Sequence, residues 1–126
     1  MIEPTMLLQE ARLLDESSAT EIRRRTVIGR AYYASFHFLR GHPCSKEFDA
    51  PRTSSVHKAL MRHLAQDDNP NVVHCARLLG RLRAVRNLAD YTLDQSVSQQ
   101  MVVEALEDAG EIIEELLENF SKADND

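Results

Sequence analysis

The feature of this sequence that most constrains its fold is an apolar stripe of helical period near the carboxyl end. Apolar side chains recur there every three or four positions, at Met101, Ala105, Leu106, Ala109, Ile112, Ile113, Leu116 and Leu117. The opposite side of the same predicted helix is acidic, with Glu104, Glu107, Asp108, Glu111, Glu114, Glu115 and Glu118. A helix of this kind buries one face only, so other helices must cover the stripe.

The rest of the chain divides into helices by the same periodicity and by capping signals. Glycine and proline occur only four times each in 126 residues, which favours long helices with few connections. Ser18 with Glu21 resembles a capping box, Asn69-Pro70 is a typical helix start, and Ser96 or Ser98 is the expected cap of the last helix. We predict an all-α single domain over residues 1–126, with helices at about 5–16, 18–41, 55–66 and 70–93, a last helix from 96 or 98 to about 121, and a frayed end at 122–126.

Composition narrows the class of protein. The amino terminus is acidic and amphipathic, and apolar runs are short, so we expect neither a signal peptide nor a membrane span but a cytoplasmic protein. The histidines and the two cysteines lack metal-ligand spacing, so no metal or other cofactor is expected. Residues 1–95 carry 14 basic and 11 acidic side chains, whereas residues 96–126 carry one and nine. The mildly basic body allows a local basic surface.

Charged side chains interrupt the apolar faces of two predicted helices. The apolar face of the fourth helix consists of Leu78, Leu79, Leu82, Ala89 and Leu93. Arg86 falls within this face, and Asp90 follows one turn later. Arg77 and Arg81 point the other way, toward solvent or a partner. In the second helix a row of Arg23, Arg30 and His37 flanks the core stripe of Val27, Ile28, Ala31, Ala34, Phe38 and Leu39. A buried arginine is costly unless it is paired. These residues therefore form either a packing network or a site that handles phosphate.

Two strings from these helices resemble the HEPN superfamily (higher eukaryotes and prokaryotes nucleotide-binding domain). They are RTVIGRAYYASFHFLR at residues 25–40 and LRAVRNLADY at residues 82–91, as in small stand-alone prokaryotic members. The resemblance implies an up-and-down bundle of four to five helices that forms a two-fold homodimer. Many members are metal-independent endoribonucleases, often toxins of toxin–antitoxin pairs or parts of antiviral defence. Others have lost catalysis and serve as partners of minimal nucleotidyltransferases or as ligand-binding modules.

The active members carry an arginine followed by a histidine after four to six intervening residues. Arg86-Asn87 matches the start of that motif, but residues 91–93 contain no histidine. The resemblance gives as candidate catalytic residues Arg86, Asp90, Tyr91 and His37. It gives as candidate ligand-binding residues Arg30, Tyr33, Asn87 and Arg83.

Other residues in the chain match parts of the motif. The pair Arg52 and His57 fits the spacing formally, but it crosses a loop and a helix start, so we interpret it as chance. Tyr91 is a conceivable target of adenylation by analogy with the family.

Three functions remain open from the sequence. The favoured one is a dimeric module, associated with RNA or a nucleotide, that acts in a toxin–antitoxin or defence-type system with a degenerate ribonuclease motif. The second is an active endoribonuclease toxin that uses Arg86. The third is a purely structural helical partner of a nucleotidyltransferase.

Overall fold

The structure is a computed structural model that describes residues 2–16, 20–52 and 55–120, and this part of the chain contains five α-helices and no strand. The helices are α1 (Pro4–Glu16), α2 (Glu21–Gly41), α3 (Val56–Ala65), α4 (Pro70–Tyr91) and α5 (Gln99–Glu115). A 3-10 turn (Pro43–Ser45) follows α2, and a π-helical turn (Leu116–Phe120) extends α5. The predicted all-α helical bundle is confirmed.

Side-chain caps fix the starts of four helices. Each cap accepts a hydrogen bond from a backbone N–H of the first turn: Thr20 for α2, Ser55 for α3, Asn69 for α4 and Ser98 for α5. Of the two predicted caps of the last helix, Ser98 is therefore correct. The cap of α2 is Thr20. The predicted cap Ser18 lies outside the described residues, and so do the predicted helix end at Ser121 and the predicted frayed end at 122–126.

The second helix is the centre of the bundle. It packs against α1, α4 and α5, while α3 covers α4. The core is mostly aliphatic, and its largest fully buried side chains are Tyr32, Ile28, Leu39, Leu60, Leu64, Leu79, Leu82, Ile112 and Leu116. Each such side chain contributes about 1.5–3 kcal/mol relative to an exposed position. No described helix has an apolar stretch long enough for a bilayer.

The predicted apolar faces were wrong at two positions. Leu93 is 75% exposed because α4 already ends at Tyr91, so Leu93 is not on the face of the helix. Leu117 is also exposed, since the π-helical turn after Glu115 changes the angular spacing of the residues that follow. Phe38 is partly buried and packs against the core, as predicted, and the rings of Tyr32 and Phe36 are fully inside it.

One acidic side chain of α5 does not face solvent as the pattern predicted. The side chain of Asp108 is only 14% exposed, and its carboxylate accepts a 3.3 Å hydrogen bond from Arg81 of α4. Burial raises the pKa of Asp108 above its ordinary value. Arg81, which the pattern placed toward solvent or a partner, therefore pairs with the next helix, although most of its side chain remains exposed.

The side chain of Arg25 joins the start of α2 to the end of α4. It is only 11% exposed, and its Nη1 donates to the carbonyl oxygens of Ala89 at 2.8 Å, Leu88 at 3.2 Å and Thr92 at 3.3 Å. Its Nη2 also donates to the carbonyl oxygen of Gln95. The last carbonyls of a helix lack donors from their own backbone, so a cation is well placed there. We call these contacts the Arg25 clamp.

The neighbours of Arg25 extend this connection to the loop before α5. The carboxylate of Glu21 accepts a 2.6 Å hydrogen bond from the backbone N–H of Val97, and Nε of Arg24 donates to the Val97 carbonyl at 2.8 Å. The Val97 hydrogen bond is the main reason that the pKa of Glu21 lies below its ordinary value. The end of α4 and the loop that follows it, from Leu88 to Val97, are thus fixed to the start of α2.

Replacement of Arg25 by alanine should lower the free energy of unfolding by about 2–4 kcal/mol, because several partly buried carbonyls lose a charged donor. Urea titration followed by circular dichroism measures this loss. Arg30→Ala, at an exposed arginine of the same helix, is the matched control and should change stability by less than about 0.5 kcal/mol. Equal losses of unfolding free energy in the two variants would show that the Arg25 clamp stabilises the fold no more than an exposed arginine does.

Candidate functional site

Arg86 lies at the junction of α4 and α2 with its side chain only 15% exposed. Its Nη2 donates to the hydroxyl oxygen of Tyr33 at 2.8 Å, and its Nη1 donates to the side-chain oxygen of Asn87 at 3.3 Å. Nε lies 2.8 Å from a carboxylate oxygen of Asp90, as the spacing of the two residues predicted. That contact is an ion pair without the alignment of a hydrogen bond, so the buried Nε–H lacks a well-directed acceptor among the described residues.

Three aromatic rings enclose the guanidinium group of Arg86. Its Cζ lies 5.3 Å from the ring centres of Tyr33 and Tyr91 and 5.7 Å from that of Tyr32. These are all three tyrosines of the chain. Burial acts to lower the pKa of Arg86, but Tyr33, Asp90 and Tyr91 together raise it above the ordinary value. The group is therefore a permanent cation held against π-faces.

Two histidines lie beside these tyrosines. The ring of His57, from the first turn of α3, stacks on Phe36 at 4.1 Å, and its Nδ1 is 2.7 Å from the hydroxyl oxygen of Tyr32. The exposed ring of His37 stacks on Tyr33 at 6.2 Å. Burial, and then the positive charge of Arg86, lowers the pKa of His57 below its ordinary value.

Tyr32 connects His57 to a second arginine. Burial raises the pKa of Tyr32 to about 12, although the positive charges of Arg83 and Arg86 oppose the rise. The phenol therefore stays neutral at physiological pH. We call the set of residues so assembled the Arg86 cluster: Tyr32, Tyr33, His37, His57, Arg83, Arg86, Asn87, Asp90 and Tyr91.

The predicted site residues fall into this cluster with one exception. The structure brings together seven of them, namely Arg86, Asp90, Tyr91, His37, Tyr33, Asn87 and Arg83. Arg30 is exposed, and no described contact joins it to the others. Of the two adjacent tyrosines of α2, Tyr32 is buried and Tyr33 is 38% exposed.

His57 is the member of the cluster that sequence reasoning misjudged. Its spacing from Arg52 was the only sequence signal, and it was interpreted as chance because the pair crosses a loop. Arg52 is indeed exposed outside the cluster, but α3 turns His57 toward α2 and α4. The long connection before α3 has no periodicity from which this docking could be predicted.

Thiol and metal chemistry have little support in the described part of the chain. Cys44 and Cys75 are buried and unpaired, and burial raises the pKa of both thiols, that of Cys75 to about 12. Within the same residues, no three histidine, cysteine, aspartate or glutamate side chains come close enough to hold a metal ion.

The sequence of the chain is similar to one protein family and to two archaeal proteins. The family model of the HEPN domain matches residues 7–120. Two uncharacterized proteins of Methanocaldococcus jannaschii are similar to the chain. One is 34% identical over 84% of this chain and 68% of its own length, and the other is 30% identical over 97% and 82%. No solved structure matches the chain significantly.

Replacement of Arg86 by alanine should lower the free energy of unfolding by about 2 kcal/mol, and Asp90→Ala by about 1 kcal/mol. The pair is only partly buried, since Asp90 is 36% exposed, so solvent screens the loss. Chemical denaturation of both variants measures these values, with Arg77→Ala on the exposed side of α4 as the control. Losses of about 3–5 kcal/mol in both variants would instead indicate a fully buried pair.

Proposed function

Because the chain belongs to the HEPN domain family, we propose that it is a dimeric module of a toxin–antitoxin or defence-type system that binds RNA or a nucleotide at the Arg86 cluster. The observation that carries the proposal is the partly buried Arg86 guanidinium, enclosed by every tyrosine of the chain. A desolvated, permanently charged group of this kind interacts with phosphate more strongly than a solvated one.

The charge balance of the cluster favours an anion. Arg83 and Arg86 are both cationic, whereas Asp90 is the one carboxylate among the cluster residues. A phosphate that approaches this site meets an excess of positive charge and N–H groups, which is the pattern that phosphate recognition requires.

The exposed rings favour a nucleotide over a bare phosphate. Tyr91 is 70% exposed and Tyr33 is 38% exposed, so both present ring surface to solvent beside the cation. Stacking of a base on an aromatic side chain is worth about 1–3 kcal/mol and tolerates any sequence. The chain has few aromatic residues for a large stacking surface, but it concentrates its tyrosines where one or two bases would need them.

A second copy of the chain is the proposed partner at the end of α2 and α4. Ile22 is 74% exposed and Leu93 is 75% exposed. They lie at the same end of the helix pair, since Arg25, one turn from Ile22, contacts the carbonyl of Thr92. Exposed apolar side chains at one place are typical of a protein interface. Tyr91 adds its exposed ring next to them.

A minimal nucleotidyltransferase is the other proposed partner. Two observations support this proposal, namely membership in the HEPN family and an acidic surface of the bundle. The exposed side of α5 carries acidic residues separate from the Arg86 cluster, at Glu104, Glu107, Glu111, Glu114 and Glu118. A purely structural helical partner would need this face and no ligand at Arg86. An active endoribonuclease is the alternative that a specific observation favours, namely the imidazole of His57 within the cluster.

A fluorescein-labelled single-stranded RNA of about 12 nucleotides should bind the chain, and Arg86→Ala should weaken binding at least tenfold. Fluorescence anisotropy at several salt concentrations measures both the affinity and its salt slope, whose magnitude should fall by about 0.7 for each lost phosphate contact on a single strand. The control Arg77→Ala removes an equal charge from the exposed side of the same helix. No binding at micromolar concentration, or equal weakening by both variants, would contradict the proposal.

The chain should have twice its monomer mass of 14.3 kDa at micromolar concentration. The double variant Ile22→Glu, Leu93→Glu should be monomeric, because charges at the interface cannot be paired by an identical surface. Light scattering after size-exclusion chromatography measures the mass. Leu13→Glu, at an exposed leucine of α1, is the control and should stay dimeric. A monomeric wild-type chain would exclude this interface.

A further inference from the structure

We propose that the groove between α3 and α4 binds an acidic amphipathic helix of a partner protein. The groove has a volume of about 350 Å³. Its apolar lining consists of Met61, Ala65, Val73, Ala76 and Gly80, and one arginine stands on each of its two walls. This surface is separate from the Arg86 cluster and from the proposed dimer contact at the end of α2 and α4.

The walls of the groove are two neighbouring helices. Only residues 66–69 connect α3 to α4, and the two helices pack against each other, so they form an antiparallel hairpin. Val73 and Gly80 lie two turns apart on α4, so the groove follows that helix for about 10 Å. An added helix fits such a place because a ridge of its side chains enters the groove between two packed helices.

The floor of the groove is apolar and is left uncovered by the rest of the bundle. Met61 and Val73 are only partly buried, and Ala65 is exposed. The small side chains along the floor leave room for another helix to approach closely. Grooves of this kind bind the apolar face of an amphipathic helix, whose anchoring side chains recur three or four and then seven positions apart.

Gly80 is a residue that the described fold does not itself require. It lies in the interior of α4, where glycine stabilises a helix less than alanine does. Its φ is not positive, so its backbone conformation is open to other residues. Outside its own helix, only the sulfur of Met61 among the described atoms would lie within 4 Å of an added Cβ, at an ordinary contact distance of 3.8 Å. The open space over Gly80 is accounted for by an occupant that comes close to α4.

Positive charge on both walls determines the sign of the occupant. Arg62 of α3 and Arg77 of α4 line the groove, and both are exposed, as is Lys58 one turn before Arg62. No described carboxylate forms an ion pair with these side chains. The acidic residues of the α3–α4 connection, Asp67 and Asp68, line a different pocket. Carboxylates beside the apolar face of the occupant therefore meet complementary charge, whereas a basic helix is repelled.

The same charges exclude a contact between the grooves of two copies. A two-fold contact would bring each pair of arginines against the same pair of the other copy. Charge complementarity thus selects a different protein segment, one that carries glutamates or aspartates around an apolar face.

The first test selects the occupant by its chemistry. A displayed library of helical peptides of about 16 residues, in which leucine, alanine, glutamate and lysine vary, is panned on the immobilised full chain. Enriched peptides should carry leucines at helical spacing beside glutamates and should be depleted in lysine. Basic enriched peptides would place binding on the acidic side of α5 and contradict the proposal, and so would a library without enrichment.

A side chain that fills the groove should displace the selected peptide. Gly80→Leu should weaken its binding at least tenfold in fluorescence anisotropy, because the added side chain occupies the floor. Gln9→Leu, which adds a leucine to the exposed side of α1, is the matched control and should bind as wild type does. Gly80→Ala should raise the midpoint of thermal unfolding, since alanine favours the helix, and should weaken binding less than leucine does.

Charge reversal on the walls tests the sign of the occupant without filling the groove. The double variant Arg62→Glu, Arg77→Glu should weaken the selected peptide at least tenfold, and added salt should weaken its binding to the wild-type chain. The double variant Arg30→Glu, Arg52→Glu makes the same change of net charge at exposed arginines outside the groove and should have little effect. Equal weakening by the two double variants would overturn the proposal.

Two further measurements separate this site from the other proposed surfaces. All groove variants should bind the labelled RNA within about threefold of the wild-type affinity, so a failure of RNA binding in the wild-type chain leaves the groove proposal in place. Light scattering should give Gly80→Leu the mass of the wild-type chain. A loss of dimer mass in this variant would show that a second copy covers the groove and would overturn the proposal.

Discussion

The interaction on which the rest of this structure depends is the Arg25 clamp. Arg25 supplies donors to the last carbonyls of α4, where the helix backbone cannot, and its charge complements the negative end of the helix dipole. Those contacts fix both the end of α4 and its rotation against α2. Arg86 precedes the clamped turn on the same helix, so the clamp also determines that its guanidinium meets Tyr33. The position of the Arg86 cluster therefore depends on how α4 ends.

The Arg86 cluster solves a problem that a buried arginine poses. Removal of a guanidinium from water costs free energy that a single, partly exposed carboxylate such as Asp90 does not return. Three tyrosine faces and the hydroxyl of Tyr33 make up part of that cost without neutralising the charge. A second carboxylate would have neutralised the cluster, and the network would then serve packing alone. Since the cluster stays net positive, it remains complementary to an added anion.

Those parts of the fold that depend on one helix at a time could be predicted from the sequence. The five helices and the Arg86–Asp90 pair follow from periodicity, capping residues and a four-residue spacing. The parts that depend on how helices meet could not. Arg25 looks like one of three consecutive arginines, and His57 like a chance match, because only tertiary packing selects their partners. The prediction for Leu93 was wrong for a smaller reason, since an error of two residues in a helix end turns a core position into a surface one.

The net charge of −5 does not argue against an anionic ligand, because charge acts locally. The apolar side of α5 packs on α2 and α4, so most of its acidic side faces solvent, although Asp108 and Glu111 contact side chains of α4. An α-helix with its side chains is about 10–12 Å across, and exposed charges at physiological salt are screened within about 8 Å. The acidic face therefore contributes little to the potential at Arg86. One chain can therefore present an acidic surface on α5 and a positively charged cluster around Arg86.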